Sequence, residues 1–84
     1  MKAAIICIGK CRCKELINDM IKIPLREFII ETHDRNTIVN LIGKLLKDGY
    51  RIIIFDHIEP EAYMEIALKY KGNGIFIILP CIYK

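Results

Sequence analysis

Apolar residues along this chain fall into two alternating patterns. Short, mainly apolar runs cover residues 3–9, 27–32, 51–56 and 75–79, and each is bounded by a turn or breaker signal: Gly9, Asp34, Asp56 and Pro80. Such runs read as strands. Between them, apolar positions recur at helical spacing. Leu16, Ile17, Met20 and Ile21 predict a helix over residues 13–23 that Pro24 stops. Ile38, Val39, Leu41, Ile42, Leu45 and Leu46 predict a second, capped by Asp34 or Asn36 and closed by Gly49. Pro60 fits a first helical position, and Ala62, Tyr63, Ile66, Ala67 and Tyr70 mark the apolar side of a third helix running to about Lys71. The predicted order is βαβαβαβ, in one domain over residues 1–84.

Strands that are apolar without alternation are expected to be covered on both faces, as in a parallel sheet between helical layers. Right-handed crossovers then give a doubly wound, Rossmann-like α/β domain of three layers, its four-stranded parallel sheet in the order 2-1-3-4.

Composition sharpens the picture in a few places. The apolar content of 54% is dominated by 19 Ile, against 7 Leu and one Val, a β-branched bias that favours buried strands. Ser, Gln and Trp are absent, so serine nucleophiles are excluded. Lack of Gln beside abundant Ile, Lys and Glu suits a thermophile. A net charge of +3, with only Lys10, Arg12 and Lys14 close together, gives no footprint for nucleic acid. No apolar run reaches the roughly 18 residues of a membrane span, and the first strand is too short for a signal peptide. The expected location is the cytoplasm, where the four cysteines would stay reduced.

In the order 2-1-3-4, ligands are expected beyond the carboxyl ends of strands one and three, where the strand order reverses. Gly9, Lys10, Arg12 and Asp56 would line that crevice. Several chemistries meet there. Cys7, Cys11 and Cys13 bring three thiols within seven residues, and His33, His57 or Cys81 could complete a tetrahedral metal site, although paired CxxC knuckles are absent. Incidental, structural cysteine is the plainer reading, with Cys7 a small buried hydrophobe. The segment from Cys7 to Arg12 also resembles the phosphate loop of low-molecular-weight tyrosine phosphatases and the cysteine of phosphotransferase-system IIB domains. It is one residue short of the phosphatase spacing, and no downstream acid loop is evident. Asp56 stands where receiver domains carry a phosphoacceptor, but basic residues replace the acidic pair after strand one. A turn or capping role for Asp56, and solvated positions for both histidines, are the simpler expectations. Gly9 alone does not make a dinucleotide fingerprint.

Taken end to end, Ala4-Ile5-Ile6 leading into Ile8-Gly9, Ile52-Ile53-Ile54, the Glu-containing helix after it and the ending Ile77-Ile78-Leu79-Pro80 resemble the F subunit of the archaeal and vacuolar-type rotary ATPases. The similarity covers nearly the whole chain. It implies a non-catalytic central-stalk protein with other ATPase subunits as partners; separately, no cofactor is expected unless the cysteines hold a metal. Residues 10–14 depart from that family's acidic turn, and the chain ends where the family continues into a segment that engages the catalytic head. One feature supports partner binding independently. The fourth strand would be a sheet edge, with Ile75, Ile77 and Leu79 along it, and exposed apolar edges are usually covered by a partner, a second copy or a folded-back terminus. The expectation is therefore an accessory, protein-binding subunit. The alternatives are a thiol or metal domain built on Cys7, Cys11 and Cys13, and a cysteine-based phosphotransfer domain.

Overall fold

A computed structural model describes residues 2–12, 14–31 and 34–79. Seven elements follow one another: β1 (Lys2–Ile8), α1 (Lys14–Met20), β2 (Leu25–Ile30), α2 (Arg35–Lys47), β3 (Tyr50–Phe55), α3 (Pro60–Lys69) and β4 (Ile75–Ile78). The four strands form one parallel sheet in the order β2-β1-β3-β4. The doubly wound α/β architecture and its strand order are thus as the sequence predicts. No helix of the described residues is long and apolar enough to cross a membrane.

Parallel pairing puts Ile5 beside Glu27 and Ile54, and Ile6 beside Phe28 and Phe55. Side chains alternate between the two faces, so each strand feeds two different cores. Ala4, Ile6 and Ile8, with Ile53 and Phe55, meet Ile38, Val39 and Ile42 of α2 and Ala62 and Ile66 of α3. On the opposite face Ile5, Cys7 and Ile54 meet Ile17 of α1 and Leu79. One face therefore carries two helices and the other carries one.

Local chemistry explains the boundaries. The Asp34 side chain accepts from the Thr37 N–H (3.0 Å) and from its hydroxyl (2.7 Å), capping α2. Gly49, at φ +100°, adopts the left-handed turn that closes the helix, and its N–H reaches the Leu46 carbonyl (3.1 Å). Pro60 opens α3. The Tyr63 hydroxyl donates to the Phe76 carbonyl (3.0 Å), pinning α3 over β4.

Three expectations shift. The first helix ends at Met20, before residue 23, because Pro24 drives the residue ahead of it out of helical geometry. The second strand starts directly after Pro24, two residues earlier than expected, with Leu25 beside Ala3. Both-face burial holds for the central strands β1 and β3 but not for β2 and β4, where Ile29, Ile75 and Ile78 are exposed. An edge strand has a neighbour on one side only, and composition does not reveal which strands sit at the edge.

Candidate functional site

The sheet order reverses between β1 and β3, and the described candidate residues gather just beyond their carboxyl ends. The Gly9 N–H donates to the Ile30 carbonyl (2.8 Å), carrying the β1–β2 ladder one step further. Gly9 then turns at φ +83°, a conformation that L side chains rarely adopt. That turn sends residues 10–12 back over the strand end. Across the gap, the Asp56 N–H donates to the Ile6 carbonyl (3.0 Å), extending the β1–β3 ladder in the same way. Both strand ends are thus fixed by backbone bonds.

Within this frame Cys7 and Cys11 are joined by a disulfide with Cα atoms 5.0 Å apart. This corrects the expectation that all the cysteines are reduced. Cys7 is completely buried in β1, whereas Cys11 is half-buried in the loop. Closing a five-residue ring stabilises the native chain by about 2 kcal/mol in the chain-entropy account.

Asp56 is the other distinctive group. It is only 4% exposed, and its Oδ2 accepts the Arg12 N–H at 2.7 Å. A buried carboxylate needs such donors, and among the described residues no buried side-chain polar atom lacks a partner. The contact also fixes the backbone next to Cys11, so Asp56 serves as the anchor of the residue 9–12 loop. That extends the turn role expected for it. Lys10 and Arg12 are exposed on either side of Cys11, so the approach to the half-buried sulfur is basic. Lys14, at the start of α1, is ion-paired to Glu27 of β2.

Three of the other expected site residues cannot be placed among these groups. His57 is exposed in the loop after β3, while Cys13, His33 and Cys81 lie outside the described residues. Among the described residues no group of three His, Cys, Asp or Glu could hold a metal ion. In the disulfide form neither Cys7 nor Cys11 presents a thiolate, whether as a metal ligand or as a nucleophile towards phosphate. At the proposed partner edge, Ile75 is 57% exposed and Ile77 is partly buried. Leu79 instead sits in the core beneath α1, held by its N–H to the Phe55 carbonyl (3.0 Å).

Sequence reading located the reversal of strand order but missed the disulfide and the Asp56–Arg12 contact. The disulfide had a signal: a cysteine at a strand end, another four residues on and a glycine between them to reverse the chain. Surface depressions lie at the opposite end of the sheet, one of them lined by Leu46, Lys47, Arg51 and Tyr70. Arg51 there is already committed to the Leu46 and Tyr50 carbonyls (both 2.9 Å). The fold and site thus define a doubly wound α/β domain with a disulfide-closed loop at its switch point. Comparison with protein families, curated proteins and solved structures returns no match for this chain.

Proposed function

We infer that this chain is a non-catalytic accessory protein, like the rotary-ATPase stalk family it resembles, and that it binds a protein partner through the β4 edge of its sheet. The observation that carries the reading is the edge itself. β4 is entirely apolar, ends the sheet, and exposes Ile75 on one face (57%) and Ile78 on the other (39%). Met64 and Leu68, one helical turn apart on α3, add exposed apolar surface. A sheet edge offers main-chain donors and acceptors in a row, so the fitting occupant is an extended strand of a partner protein, with an apolar side chain for each face. The cytoplasm is the setting on this reading.

The test is reconstitution. The purified chain is mixed with the central-stalk subunits of an archaeal-type ATPase and followed by size-exclusion chromatography with light scattering. Co-elution that is lost in an Ile75→Lys/Ile78→Lys variant of unchanged circular dichroism supports the reading. A monomer that binds none of those subunits removes the ATPase assignment. Failure to pair with itself or with any partner recovered from its native extract removes the edge-binding role as well.

A further inference from the structure

We propose that the Cys7–Cys11 disulfide is a thiol–disulfide exchange site, opened by an external thiolate that attacks Cys11 Sγ and expels Cys7 Sγ. The site is independent of the partner-binding reading and rests on three observations.

The first is the unequal exposure of the two sulfurs. Cys7 is fully buried and Cys11 is half-buried, so Cys11 is the end of the bond that lies towards solvent. Exposed Lys10 and Arg12 flank that end, and a cationic approach favours both a thiolate and an anionic thiol. The second is that the bond spans a single turn. Its two cysteines are four residues apart, and the ladders around them are closed by Gly9 to Ile30 and by Asp56 to Ile6 without any help from sulfur. Breaking the bond therefore leaves the sheet intact. The third is Asp56. By accepting the Arg12 N–H from its buried position it holds Cys11 against the strand end, which keeps the two thiols close after reduction and favours reclosure.

The chemistry balances as two successive displacements. The first thiolate forms a mixed disulfide with Cys11, and Cys7 leaves as a thiolate that is then protonated. A second thiolate attacks the sulfur contributed by the first, giving the external disulfide and freeing Cys11, which also takes a proton. Two external thiols are oxidised, and the protein disulfide gains two electrons and two protons.

The experiment uses the full chain with Cys13→Ala and Cys81→Ala, leaving only the pair in question. The oxidised protein is equilibrated under native conditions with glutathione redox buffers in one arm and with reduced thioredoxin in the other. It is then acid-quenched, alkylated and weighed by mass spectrometry. We expect reduction without change in the far-UV circular dichroism, and trapped glutathione adducts on Cys11 alone. The two arms separate a small-molecule thiol from a protein thiol, and reduction in either supports the site. Asp56→Ala should shift the equilibrium towards the dithiol by about tenfold, the worth of one charge-assisted hydrogen bond. Asp56→Asn, which retains an acceptor for Arg12, should shift it less. A disulfide reduced in neither arm until denaturant is added, adducts on Cys7, or loss of the fold on reduction would each overturn the proposal.

Discussion

A methyl group added at Gly43 would sit 2.6 Å from the Tyr70 hydroxyl, which donates to the Val39 carbonyl at 3.0 Å. The position is helical, so alanine brings about 1 kcal/mol of intrinsic preference. Against that stands the displacement of Tyr70 and the loss of a hydrogen bond worth about 1 kcal/mol. Gly43→Ala is therefore expected to destabilise the wild-type chain and to stabilise a Tyr70→Phe chain, with a coupling of about 1–2 kcal/mol read from urea midpoints. Equal effects in both backgrounds would refute the contact. Asp34 gives a pH prediction. Its hydrogen bonds from the Thr37 hydroxyl and N–H hold its carboxyl below the ordinary 3.8. A lowered native pKa means that the cap stabilises fully above the unfolded value and stops doing so as pH falls through the native one. Asp34→Asn should therefore flatten the acid limb of a melting-temperature profile below about pH 4. The two aspartates also differ in legibility. Asp34 can be read as a cap because the helix it serves begins at the next residue. The partner of Asp56 is a main-chain N–H 44 positions away, which no local pattern announces.

At the scale of elements, identical side chains have unequal consequences. Ile54 is fully buried in central β3, and Ile75, in the register row two residues earlier on the neighbouring edge strand, is largely exposed. Ile54→Ala is expected to cost about 2–5 kcal/mol and Ile75→Ala less than about 1 kcal/mol. Thermal unfolding that found the two equal would contradict the strand order. Element type and order were legible because the apolar period changes cleanly between strand and helix. Burial was less so: the run at 75–79 is as apolar as the one at 3–9, and only the pairing shows that it has a single neighbour. The early start of β2 at Leu25 has a related cause, since its register is set by Ala3 on another strand.

At the scale of the whole molecule, the loop closed by Cys7 and Cys11 is expected to adjust stability without deciding the fold. Cys11→Ala should lower unfolding free energy by about 2 kcal/mol while leaving the native spectrum unchanged. A chain that cannot fold without the bond would show that the sheet alone is insufficient. The switch point was legible from topology, because the strand order alone says where it falls. The sulfur bridge beside it was not, since the expected compartment argued for free thiols. The strand order has one more consequence, for synthesis. The first strand of this sheet to leave the ribosome is a central one, and its second neighbour, β3, comes some fifty residues later: Ile6 lies against Phe55. Until then β1 can pair with β2 alone, and one flank of the most apolar part of the chain stays unpaired. Completion of this fold is therefore late and abrupt during translation, and the nascent chain passes through a long interval in which a chaperone has something to hold.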